Sequence, residues 1–223
     1  MSEPNTRRKR EHEQHIKHIL DAAESIFAEQ GFFRTTMRQI ALKAEFALGT
    51  IYSYFGSKKQ LYGKVIEAKV DELVALVTRE MADVPSVQGQ IEKFIQAKMT
   101  FLHNNLTFFR LYLAEVNVPQ LDISNILPKK VREKYDSMFS NLRGVIGRGI
   151  EEGLFKPMDA RVIVKAIDGL TNALALSWLG SAEAHLSLEA DIRNVTELFL
   201  HGVLISQEST KNLSNRKAIN NGS

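Results

Sequence analysis

Apolar residues recur at three- and four-residue spacing along almost the whole chain, and no long run alternates with period two. That pattern predicts an all-α fold. Ile16, Ile19, Leu20, Ala23, Ile26 and Phe27 share one face of a first helix, which Gly31 ends. Thr36 followed by Gln39 is a capping box and opens a second helix running to about Ala44. A compact apolar run at 48–55 predicts a third helix, and Ser57 with Gln60 opens a long fourth one ending near Met81, ahead of Pro85 and Ser86. Further helices are expected at about 87–103, 105–116, 129–152, 160–179 and 188–206. The expected organisation is a basic flexible arm at 1–14, a small three-helix domain at 15–57, a larger helical domain at 58–206 and a disordered polar tail at 207–223.

Composition narrows the function classes without choosing one. The 223 residues are 44% hydrophobic and 25% charged, as in soluble globular proteins, and the net charge of +3 is too small to mark a nucleic-acid binder. The positive charge is concentrated, however, in the uninterrupted run Arg7, Arg8, Lys9, Arg10. With no cysteine, disulfides, thiolate metal sites and cysteine nucleophiles are excluded. The apolar stretch 162–179 contains Lys165 and Asp168, which argues against a membrane span, and no secretory leader is recognisable. A cytoplasmic protein with no membrane partner is expected. His12, His15 and His18 recur every three residues, but no carboxylate or cysteine completes a metal site. No nucleophile, metal-ligand or phosphate-loop pattern points to an enzyme, and no cofactor is implied.

The informative segment is 19–61. Three short helices joined by tight turns meet the requirements of a helix-turn-helix, whose third helix enters the major groove. The strings "AAESIFAEQGFFRTTMRQIALKA" and "LGTIYSYFGSKKQL" strongly resemble the DNA-binding domain of the TetR family of transcriptional regulators. Matching positions include Ala22–Ala23, Phe27, Gly31–Phe32, Thr35–Thr36, Ile40–Ala41, Gly49–Thr50–Ile51–Tyr52, Tyr54–Phe55, Lys58 and Leu61. The chain departs from the family pattern at two positions. Glu45 stands where Gly is usual in the turn, and Ala47 where Ser often caps the third helix.

The resemblance implies site residues. Thr36 points a hydroxyl and backbone amides at a phosphate, Lys58 clamps a second phosphate, and Arg38 and Lys43 add backbone contacts. Leu48, Gly49, Thr50, Tyr52, Ser53 and Tyr54 lie on or near DNA, with Ile51 and Phe55 in the core. Gly49 permits close approach, Thr50 and Ser53 donate to phosphates or base edges, and Leu48 suits a thymine methyl. Tyr52 and Tyr54 either touch phosphates or pack within the small domain. The basic arm either reaches DNA or stays solvated.

A reader of this type works as a homodimer on a palindromic double-stranded operator. Ile163, Ile167, Leu170, Leu174 and Trp178 form one stripe, widened by Val162, Ala166 and Ala173, and Ile192, Val195, Phe199, Gly202 and Val203 form a second; together they suit a four-helix interface between two copies. "GIEEGLFKP" at 149–157 resembles the family's loop before the last two helices. Met99, Phe108, Tyr112 and Met138 belong to an aromatic and Met-rich population that either forms ordinary core or lines a site for a small lipophilic effector; His103, Arg110, Asn172 and Trp178 are the polar or flat contacts such a site would use. A ligand-released repressor is expected; an activator, a corepressor-dependent regulator and an effector-independent architectural protein are the alternatives.

Overall fold

The computed structural model describes residues 3–109, 129–180 and 187–203, and all regular structure among them is helical. The helices are α1 (Glu3–Arg34), α2 (Met37–Lys43), α3 (Leu48–Phe55), α4 (Lys58–Ala82), α5 (Val87–Asn104), α6 (Lys129–Glu151), α7 (Ala160–Gly180) and α8 (Leu188–Val203), with a further helical turn at 106–109. The helix expected at 105–116 lies mostly outside the described residues, as does the tail.

α1 begins at Glu3, so the basic stretch expected as an arm is helical. Pro4 is tolerated in a first turn, and no Gly or Pro follows until Gly31. Arg7 with Glu11 at 2.9 Å and Lys9 with Glu13 at 4.0 Å also sit at the spacing that supports a helix. The helix breaks at Gly31, whose φ of 78° and ψ of 166° suit a residue without a Cβ. At the start of α2, the Gln39 amide donates to Thr36 Oγ1 at 3.2 Å and the Thr36 amide to Gln39 Oε1 at 2.8 Å, which completes the capping box.

The chain divides into two compact units, and the division falls inside α4 and inside α6: Met1–Val74 with Asn104–Asp136, and Ala75–His103 with Ser137–Ser223. The core of the first is built on Ile19, Ala23 and Phe27 of α1, Ile40 and Ala41 of α2, Ile51 and Phe55 of α3, and Leu61 and Val65 of α4. Within this unit the Glu67 carboxylate of α4 is held down to about 2, first by its hydrogen bond from Lys64 and then by Lys130 of α6. Lys134 of α6 also pairs with Asp71 of α4.

The second unit buries Ile91, Phe94, Ile95 and Met99 of α5, Leu142 and Ile146 of α6, Phe155, and Ile163 and Ile167 of α7. Gly149 is required by close approach, since a Cβ there would stand 2.3 Å from the Phe155 ring. One cation enters this core. Lys98 is 1% exposed, pairs with the Asp168 carboxylate of α7 and donates to Thr171 Oγ1 at 2.8 Å. Burial pulls its pKa below the ordinary lysine value, while Asp168 acts in the opposite direction.

Two stability measurements follow. Asp168→Ala leaves a buried ammonium unpaired and is expected to cost about 3 kcal/mol in urea unfolding, whereas Lys98→Met, which removes the charge itself, costs distinctly less. Because Glu67 is depressed from 4.5 to about 2, its stabilisation is present above pH 4.5 and is lost as the pH falls towards 2. Glu67→Gln should flatten that part of the stability–pH curve and leave the rest of it in place.

Candidate nucleic-acid interface

α2 and α3 are too short to be stable alone and owe their orientation to the residues they bury. Ile51 is 0% and Phe55 6% exposed, so this side of α3 is fixed against the core and the opposite side is presented outward. On that outer side Leu48 is 40% and Tyr52 47% exposed, flanked by exposed Gly49 and Ser53. Gly49 is not demanded by packing within the chain, because a Cβ built there meets nothing within 4 Å. Thr50 is half-buried, and the Ser53 hydroxyl donates to its carbonyl at 2.7 Å.

The turn between the two helices carries both departures noted above. Glu45 has φ of 55°, the left-handed conformation that Gly adopts at less cost. Ala47 caps α3 with no side-chain hydrogen bond. Phe46, between them, takes the rings of His15 at 5.1 Å and His18 at 6.0 Å edge-on. His15 Nδ1 also lies 3.2 Å from Tyr54 Oη, and the His12 and Tyr54 rings are 5.0 Å apart. The histidine series is therefore a packing seam between α1 and the helix-turn-helix. Half-buried Tyr54 packs against the core of the domain, and exposed Tyr52 faces out.

Two lysines expected at the DNA already have partners within the chain. The Lys58 ammonium, expected as a phosphate clamp, donates to the carbonyls of Phe32 at 2.6 Å, Thr35 at 2.7 Å and Phe33 at 3.3 Å, and lies 4.4 Å from the Phe32 ring centre. It satisfies carbonyls left open where α1 ends. Lys43 likewise turns inward, to Ser25 Oγ at 2.6 Å and Glu29 Oε1 at 3.0 Å. Thr36 and Arg38 are exposed, although the Thr36 hydroxyl is engaged with Gln39. Sequence reasoning missed two exposed apolar side chains of this domain, Phe33 at 85% and Leu42 at 81%. The Phe32–Phe33 pair gave no sign of which ring turns outward, and nothing in the fold explains the exposure of Leu42.

In the second unit, the stripe expected between two copies is largely consumed within one. Ile163, Ile167, Val195 and Phe199 are buried in the chain's own core, and Leu170, Leu174 and Ile192 are half-buried. The side chain of Val203 lies outside the described residues. The uncovered apolar positions lie beside that stripe: Val162 at 56% exposure, Ala166 and Ala173 on α7, and Leu198 at 66% on α8. α7 is apolar enough to cross a membrane by length and composition, with 39% of that window buried. Of the effector candidates, Met99, Phe108, Met138, Asn172 and Trp178 are buried, and Phe108 belongs to the first unit. Arg110 and Tyr112 lie outside the described residues. Polar groups of the rest are already engaged: Asn172 donates to Asp168 at 3.2 Å and Trp178 Nε1 to Asp191 at 2.8 Å, with His103 edge-on to the Trp178 ring at 5.5 Å.

The family model described as "Bacterial regulatory proteins, tetR family" matches residues 19–65, which span the buried core and the outward face of α3. Residues 19–65 therefore carry a TetR-family DNA-binding domain. It is similar to the fatty acid metabolism regulator protein of Bacillus subtilis, 24% identical over 83% of this chain and 93% of that one. The transcriptional activator FasR of Mycolicibacterium smegmatis is 27% identical over 73% and 71%, and the transcriptional repressor KstR2 of Mycobacterium tuberculosis 23% over 69% and 76%. In fold it resembles the regulator FadR of Bacillus subtilis solved with stearoyl-CoA, with a TM-score of 0.71 at 22% identity over 83% of this chain and 98% of that one.

For a TetR-family head, the outward glycine of α3 and the turn before it make separable predictions. Gly49→Ala should leave the melting temperature unchanged or slightly raised, since Ala is the better helix former by roughly 0.5–1 kcal/mol, yet weaken DNA binding at least tenfold in a filter or anisotropy titration. Glu45→Gly should instead stabilise the fold by about 0.5–1 kcal/mol, and Ala47→Ser by about 1 kcal/mol, in thermal unfolding.

Proposed function

We propose that the protein is a ligand-responsive transcriptional repressor that binds a palindromic operator as a homodimer and is released by a small lipophilic effector. The observation that carries this reading is the outward face of α3, uncovered on a helix whose other side is locked by Ile51 and Phe55. Pairing is supported by the uncovered apolar positions Val162, Ala166, Ala173 and Leu198, since two copies present two recognition helices to successive major grooves. A place in the cytoplasm, with the DNA, goes with this reading.

The effector class is supported by the relatives. One is named as a fatty acid metabolism regulator and a neighbour in fold was solved with stearoyl-CoA, so a long-chain acyl thioester is the first compound to test. The effector acts by binding one spacing of the two recognition helices more tightly than the other, because equal affinity for both would shift nothing. The activator FasR among the relatives favours a second reading, in which the same binding event raises transcription.

The promoter region of the protein's own gene should bind on the order of a thousandfold more tightly than a scrambled duplex at the same salt. Without effector, binding should lower transcription in vitro from that promoter rather than raise it, and stearoyl-CoA should abolish the preference and restore transcription. Equal affinity for both duplexes would falsify the specific-regulator reading, and a rise in transcription would establish the activator reading. Leu198→Glu should yield a folded monomer by sedimentation equilibrium, with operator binding lost; a dimer that survives would refute this interface.

A further inference from the structure

We propose that α3 reads its half-site through the C5-methyl groups of thymine, with Leu48 and Tyr52 as the side chains that set specificity. This rests on the assignment of α3 to the major groove. The first support is what α3 lacks. Its eight residues, Leu48–Phe55, contain no Arg, Lys, Asn, Gln, Asp, Glu or His. Those are the side chains that form bidentate or charge-assisted pairs with guanine, adenine or cytosine edges, so that mode of readout is absent from the helix.

Apart from the exposed Tyr52 hydroxyl, the polar groups that α3 carries are limited by geometry. The Ser53 hydroxyl proton is committed to the Thr50 carbonyl at 2.7 Å, and Thr50 is itself half-buried. The Tyr54 hydroxyl lies 3.2 Å from His15, against α1. What remains outward is a leucine and a tyrosine four residues apart, hence on one face, 40% and 47% exposed. Open Gly49 beside Leu48 lets the helix backbone come close to whatever this face meets.

The thymine methyl is the apolar group that B-DNA displays in the major groove, and it is the chemical match for an apolar face. Contact with a methyl also gives the exposed Leu48 side chain a role. The free protein gains nothing from it. Arg38 is exposed on α2, where the resemblance implies a contact to the DNA backbone, which adds affinity without sequence information.

The test replaces thymine by deoxyuridine, one position at a time, in the operator defined by footprinting the protein's own promoter. Uracil keeps every hydrogen-bonding group and removes only the methyl. At one or two positions of each half-site the affinity should fall about fourfold per methyl lost, as expected for one buried carbon group. The slope of affinity against salt should not change, because no phosphate contact is touched. With Leu48→Ala the difference between thymine and uracil should vanish at one of these positions, and with Tyr52→Ala at another. Both residues are exposed enough that circular dichroism should report an unchanged fold. Equal binding of thymine and uracil duplexes at every position, with operator preference intact, overturns methyl readout and leaves the DNA-binding reading standing. Loss of operator preference itself would overturn both.

Discussion

The Lys58 ammonium stands where the carbonyls of Phe32, Phe33 and Thr35 converge, and the geometry of the whole head follows from that meeting. α1 breaks at Gly31, and carbonyls beyond the break meet a side-chain donor from another helix. A cation reaching back from the first residue of α4 supplies three donors at once, so the start of α4 is tied to the turn that precedes α2. Lys43 makes a second tie, from α2 to α1, through Ser25 and Glu29. Between these polar fastenings lies the apolar core of Ile19, Phe27, Ile40, Ile51 and Leu61. α3 is then oriented by exclusion: with Ile51 and Phe55 committed inward, it has one face left.

Much of this was legible in the residues. The Thr36–Gln39 box, the bounds of α3 and the left-handed turn at Glu45 are local features, decided by residues within a few positions of one another, and each stands where the sequence placed it. The lysines were not legible, because a long flexible side chain chooses its partner by tertiary geometry. A carbonyl 26 residues away in the chain and a phosphate on another molecule look alike from the sequence. The two helical stripes illustrate the same limit. Periodicity identifies α7 and α8 as broadly apolar, yet it cannot say which part of a wide face the chain's own core will take, and that core takes Ile163, Ile167, Val195 and Phe199.

The C-terminal unit contrasts with the head in where it keeps its charge. The head leaves most of its charged groups at the surface or on carbonyls near it, whereas Lys98 is buried against half-buried Asp168 and buried Thr171. Such a network makes poor use of burial as a source of stability, since desolvation opposes the ion pair. It does fix α5 against α7 in one register, because sliding either helix would strand a charge. Trp178 with Asp191 does the same between α7 and α8.

The small residues on the outer side of α7 reach beyond this chain. Ala166 and Ala173 are exposed there beside Val162, with Gly169 half-buried between them, so α7 presents little side-chain bulk on that side. In the homodimer proposed above, two such helices would approach closely, and a partner with bulky residues at the matching positions would be held off.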